Sequence, residues 1–232
     1  MRISGLQKLT LLDYPGTVAC TVFTGGCNLR CPFCHNADLV LPERLASGEG
    51  NESFVLDFLR SRRGLLEGVA VTGGEPLLHA DLPDFLRRVR ELGFRVKLDT
   101  NGCFPERLEA VIREGLVDRV AMDIKNAPSL YAETCGVPVD LDAVARSRAL
   151  LLESRVDYEF RTTAVKGLHT AESLREAAAW ISGAREYYLQ QYRDSGAVLA
   201  PAGLAAFSNP EMHALCAAVA EILPTVRLRG VD

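Results

Sequence analysis

Short runs rich in β-branched residues alternate along this chain with segments of helical period. Strands are predicted at 17–23, 68–72, 94–99, 117–124, 158–165 and 186–191, with a short final strand at 226–229. Helices fit between them near 54–62, 82–92, 105–114, 140–153 and 170–181, and Asp81 and Thr170 stand where N-caps belong. Near the end, Met212, Leu215, Cys216, Val219, Ile222 and Leu223 fall on one face of a further helix within 209–223. A polar connector occupies 42–51, and an Ala-, Gly- and Pro-rich loop occupies 193–208.

Strands alternating with helices imply parallel pairing through right-handed crossovers. The first six strands give six β/α units, fewer than the eight that close a full barrel of about 250 residues. The expected fold class is α/β: a partial, open (β/α)6 barrel of parallel strands in a single domain over 1–232. Its barrel core would run over 16–192, with a loop at 24–38, and 193–232 would supply a loop, a helix and a short strand. The pattern alone also allows a flat, doubly wound sheet.

Composition narrows the class. The 232 residues are 48% hydrophobic, enough for one sizeable core and too few for two enzymatic domains. A net charge of −4 without a Lys/Arg run gives no electrostatic footprint for nucleic acid. No apolar stretch approaches the roughly 18 residues of a membrane span, and Arg2, Lys8 and Asp13 interrupt the N-terminal segment as they would not in a secretory signal. A cytoplasmic protein without a membrane partner is expected.

The densest chemistry lies in the loop after the first predicted strand. Cys27, Cys31 and Cys34 form a C-x3-C-x2-C cluster. Three thiolates can ligate three irons of a 4Fe-4S cluster and leave the fourth iron without a protein ligand, an opening for substrate. A structural zinc site with His35 as fourth ligand needs four groups converging on one ion, and the side chains of the adjacent Cys34 and His35 tend to diverge. Seven cysteines, an odd count, in a chain without a secretory signal argue against disulfides. Cys20 and Cys216 read as core hydrophobes. Cys103 and Cys135 follow turn signals, with semi-exposed positions expected.

Other polar motifs fall at predicted strand ends, where parallel β/α folds bind ligands. They are Gly73-Gly74-Glu75-Pro76, Asp99-Thr100-Asn101-Gly102, Asp123-Ile124-Lys125 and Gln190-Gln191. Each has a plainer reading: a tight turn for the glycines, a cap for Asp99, an interior charge pair for Asp123 and Lys125, which share a strand face. Glu159, Arg161 and Thr163 share another face, where a buried network is expected, with Arg161 able to grip a carboxylate.

The cysteine spacing, the aromatic Phe33 before the last cysteine and the Gly-Gly-Glu-Pro segment resemble the radical S-adenosylmethionine (SAM) superfamily. The segments 5–16, 117–125, 158–163 and 187–192, with Cys34-His35-Asn36, extend the resemblance nearly end to end toward the activating proteins of anaerobic ribonucleoside-triphosphate reductases. The same group includes the pyruvate formate-lyase activases, and this chain departs from them late, where Gln191 and Tyr192 stand in place of an expected histidine. The resemblance implies a 4Fe-4S cluster on Cys27, Cys31 and Cys34, and SAM held by Phe33, Cys34, His35, Gly73, Gly74, Glu75, Asp99, Asp123, Lys125 and Gln191. It further implies reductive cleavage of SAM with flavodoxin or ferredoxin as electron donor, and a glycyl radical enzyme, the anaerobic ribonucleotide reductase, as partner. A pyruvate formate-lyase-type activase, a radical SAM enzyme of small molecules, and a zinc-binding or electron-transfer module are the alternatives.

Overall fold

A computed structural model describes residues 1–41, 51–194, 196 and 198–231. Eight strands form one sheet in chain order: β1 (Ile3–Thr10), β2 (Ala19–Thr24), β3 (Gly68–Gly73), β4 (Arg95–Thr100), β5 (Arg119–Asp123), β6 (Asp157–Ala164), β7 (Tyr187–Gln191) and β8 (Val226–Arg229). β1 runs antiparallel to β2 and every later neighbour pair is parallel. Since β1 and β8 are the two ends of the strand order, the sheet is open. The fold is the expected partial α/β barrel, enlarged at one edge by β1, a strand outside the predicted set.

The helices are α1 (Ala37–Val40), α2 (Glu52–Ser61), α3 (Leu82–Glu91), α4 (Pro105–Arg113), α5 (Tyr131–Cys135), α6 (Leu141–Glu153), α7 (Ala171–Trp180) and α8 (Asn209–Ala220). α3 buries Leu82, Phe85, Leu86 and Val89, a three-and-four spacing that turns one stripe toward the sheet. Thr170 caps α7 as expected, accepting from Ser173 N–H at 3.1 Å within a reciprocal capping box. Asp81 precedes α3 but makes no side-chain cap; its carboxylate meets the N-terminal ammonium instead. Of the predicted connector, 42–50 lies outside the described residues.

Central strands such as β2 and β3 are buried over nearly their whole length because helices cover one side and the barrel interior the other. That interior is charged. Fully buried Glu159 holds Arg119 (2.8 Å) and Arg229 (2.8 Å), and Lys97 pairs with Asp99. One pleat further along β6, Arg161 reaches Asp99 (3.0 Å) and Asp123 (2.9 Å). The expected polar stripe of Glu159, Arg161 and Thr163 is therefore two ion-pair layers that tie β4, β5, β6 and β8 together, with Thr163 above them at the carboxyl rim.

Candidate functional site

At the carboxyl ends of the strands a cavity of about 230 Å³ is lined by Cys27, Cys31 and Cys34 together with Asp99, Asp123, Lys125, Arg161 and Thr163. The loop that carries the cysteines is clamped from several directions. Gly74 N–H donates to Thr24 O (2.9 Å) and Glu75 N–H to Gly26 O (2.9 Å), which continues the β2–β3 pairing past the strand ends. Asn36 Nδ2 donates to Gly73 O at 3.3 Å, and Arg30 N–H to Cys135 O at 2.9 Å. On the far side, Leu199 N–H reaches Cys34 O and Ala200 N–H reaches Pro32 O.

Two glycines make the approach possible. Gly73 has φ of +123°, and a Cβ there would stand 2.4 Å from Thr24 backbone atoms. A Cβ on Gly74 would stand 1.9 Å from Gly26 O. The Gly-Gly pair thus serves close backbone contact between the third strand and the cysteine loop, and both residues also line the cavity.

Burial pushes the Cys27 thiol up to about 12 and raises Cys34 as well. Cys31 is lowered to about 7, chiefly by a hydrogen bond from the Cys135 thiol. Burial disfavours the charged form of Asp123, but Arg161 and Lys125 outweigh it and hold the carboxyl down at about 2. Lys125 is raised well above its ordinary value because the Asp123 carboxylate beside it, at 2.9 Å, overcomes burial. The cavity that holds the thiols therefore also carries fixed charges of both signs, suited to a zwitterionic ligand.

Phe33 is buried, with the Lys125 ammonium 5.9 Å from its ring centroid and His169 edge-on at 6.5 Å. His35 lines the cavity and packs on Tyr192, ring centroids 5.5 Å apart. Glu75 is fully buried and does not reach the cavity. It accepts from Leu77 N–H (3.0 Å), Thr100 Oγ1 (2.8 Å) and Asn101 N–H (2.7 Å), joining the ends of β3 and β4. Gln190 faces the cavity, whereas Gln191 turns to Phe207 O (2.9 Å) and Asn209 Oδ1 (3.0 Å). Cys135 is fully buried beside Cys31, not semi-exposed, and Cys103 is half-buried. Asn101 joins the site without having been singled out, although it stands inside the Asp-Thr-Asn-Gly motif.

The donor set fits an iron–sulfur cluster with one open corner. Three thiols surround one cavity, and Cys27 Sγ accepts the Leu29 N–H at 3.4 Å, the kind of contact that supports a cluster thiolate. Among the described residues no three His, Cys, Asp or Glu side chains converge on a single ion position. Thiolates that each take a different iron need to surround a volume and not a point. Also among the described residues, no helix is long and apolar enough to cross a membrane.

The sequence profile of the radical SAM superfamily matches residues 21–181. A protein of Methanocaldococcus jannaschii, whose name marks its role as a glycyl-radical enzyme activating enzyme as provisional, is 30% identical over 200 residues, 84% of this chain and 81% of the relative. The pyruvate formate-lyase-activating enzyme of Listeria monocytogenes is 34% identical over 137 residues, 53% of each chain. Among solved structures, Streptococcus suis SuiB bound to its precursor peptide SuiA superimposes with a TM-score of 0.72 at 16% identity, over 90% of this chain and 48% of SuiB, a likeness of fold. The chain belongs to the radical SAM superfamily, and within it to the family of glycyl-radical enzyme activating enzymes. Enzymes of this superfamily use a 4Fe-4S cluster and SAM.

Proposed function

We propose that this chain activates an anaerobic ribonucleoside-triphosphate reductase by generating a glycyl radical on it. The observation that carries the reading is one cavity, at the open rim of the barrel, shared by three cysteine thiols and a wall of paired charges. A rim of this kind leaves room for a loop of a partner protein. In this reading Cys27, Cys31 and Cys34 hold the cluster, which when bound supplies the electron that cleaves SAM to methionine and a 5′-deoxyadenosyl radical.

The remaining groups bind and orient. The backbone of Gly73 and Gly74, with Lys125 and Asp123, is suited to the carboxylate and amino group of SAM, while Asp99 and the layer beneath it suit the ribose. Phe33 and His35 flank the nucleoside side of the cavity. Arg161 holds Asp99 and Asp123 in place through ion pairs and helps keep the Asp123 carboxyl ionised. Fixing the reacting bond in this way contributes several kcal/mol without chemistry by any side chain. A cytoplasmic location with flavodoxin or ferredoxin as donor accords with the reading.

Resemblance of segments 5–16 and 187–192 to reductase activases favours that partner, and the Listeria relative favours a pyruvate formate-lyase-type partner as the second reading. Incubation of the reconstituted, reduced protein and SAM with each glycyl radical enzyme of the same organism separates them. Electron paramagnetic resonance (EPR) should detect a glycyl radical on the reductase. Radical formation on a different glycyl radical enzyme alone would keep the chemistry and overturn the partner.

A further inference from the structure

We propose that Asn101 is a positioning residue for the cluster: its side-chain amide donates to the Cys27 thiolate and sets how readily the cluster is reduced. The inference rests on reading Cys27 as a cluster ligand.

Asn101 follows β4 and is only 5% exposed, yet it lines the cavity that contains the thiols. Its backbone N–H donates to Glu75 Oε2 at 2.7 Å, so the buried carboxylate fixes where the residue begins. The side-chain oxygen accepts the Cys103 N–H at 3.0 Å. Since a backbone N–H can only donate, the oxygen must face Cys103 and the NH2 group must face the cysteine loop. One of its hydrogens goes to Asn28 Oδ1 at 2.8 Å. Nδ2 also stands 3.9 Å from Cys27 Sγ, within the longer reach of a sulfur acceptor, on the thiol that already takes the Leu29 N–H at 3.4 Å. Asn28 is the residue after Cys27, so the same amide grips the loop beside the ligand and points at the ligand itself.

A hydrogen bond to a cluster thiolate stabilises the state with more negative charge on sulfur, which is the reduced one. Removing it should make reduction harder. The arrangement also gives Glu75 an indirect role: the motif residue acts through the Asn101 backbone while remaining out of the cavity.

The test is EPR-monitored redox titration of the reconstituted protein, with iron content measured in parallel, for wild type, Asn101→Ala and Asn101→Asp. The proposal expects full iron in both variants and midpoint potentials ordered wild type above Ala above Asp. Alanine lacks the donor, and aspartate keeps the acceptor for Cys103 but adds negative charge beside a thiolate. The expected fall for alanine is threefold to tenfold in the reduction equilibrium, tenfold being about 59 mV for one electron. An alanine variant with full iron and the wild-type potential overturns the proposal. So does loss of the cluster in both variants, which would assign Asn101 to loop folding alone. A wild-type chain that takes up no cluster would instead remove the assignment of Cys27 on which the inference rests.

Discussion

Gly74→Ala tests the claim that backbone contact between the third strand and the cysteine loop builds the site. The new Cβ would meet Gly26 O at 1.9 Å, Gly26 C at 2.6 Å and Cys27 N at 3.3 Å. Reaching the 3.4 Å of ordinary contact requires the loop to withdraw by about 1.5 Å, and all three of these atoms are backbone. Withdrawal also breaks the 2.9 Å bond from Glu75 N–H to Gly26 O. Overpacking at about 1–3 kcal/mol and one buried hydrogen bond at about 1 kcal/mol give a loss of roughly 2–4 kcal/mol. For a chain of this size that lowers Tm by roughly 4–16 °C. Because Gly26 precedes Cys27, the thiol moves too, and displacements of about 1 Å at a reacting centre can cost 10²-fold in rate. Gly5→Ala is the control, since its Cβ meets only the Phe23 side chain at 3.5 Å. Melting of the cluster-free chain, followed by 5′-deoxyadenosine formation after reconstitution, reads both effects. A Gly74→Ala chain that melts within 1 °C of wild type and forms product at an undiminished rate would show that this backbone contact does not build the site.

Three further outcomes follow from the site. Cys27→Ala, Cys31→Ala and Cys34→Ala should each lose the iron–sulfur chromophore on anaerobic reconstitution, while Cys216→Ala, a packing position on α8, should retain full iron. Asp123→Ala and Lys125→Ala should weaken SAM binding by about tenfold, or roughly 1.4 kcal/mol, with iron loading preserved; wild-type affinity in both would leave the pair as a plain interior salt bridge. Asp123 and Glu159 are both held at about 2 against ordinary values of 3.8 and 4.5, so they bind protons more readily unfolded than folded. Their stabilisation is complete above pH 4.5 and is lost as pH falls toward 2, so the urea midpoint should drop across that window, with a shallower drop in Glu159→Gln.

Strands β2 to β8 were legible because each is a short segment with apolar positions inside it, most of them holding β-branched or aromatic residues, set between helical-period segments or turn residues. β1 was not: its central positions are half-exposed or exposed, Gln7, Lys8 and Leu9 break any alternation, and its pairing with β2 is irregular at two places. The strand exists because β2 offers an edge, which is a tertiary cause. α1 and α5 are too short for a helical period to register. That the three cysteines and the Asp-x-Lys pair lie together followed from their spacing, since close neighbours on one loop, or two apart at a strand end, share an environment. Glu75 and Gln191 were harder, because a motif names residues without saying which side of the backbone each side chain takes. Glu75 turns inward to three donors, and strand alternation sends Gln190, not Gln191, into the cavity. The placement of Asn101 depends on contacts across 73 residues of sequence, beyond any local pattern.

The central claim, that three thiols and a charged wall form one radical SAM site, is tested most directly by reconstituting the protein anaerobically with iron and sulfide, reducing it with dithionite, adding SAM and quantifying products. 5′-Deoxyadenosine and methionine should form in equal amounts, with no product from protein loaded with zinc. A fully loaded, reduced 4Fe-4S protein that binds SAM but leaves it intact would contradict that claim.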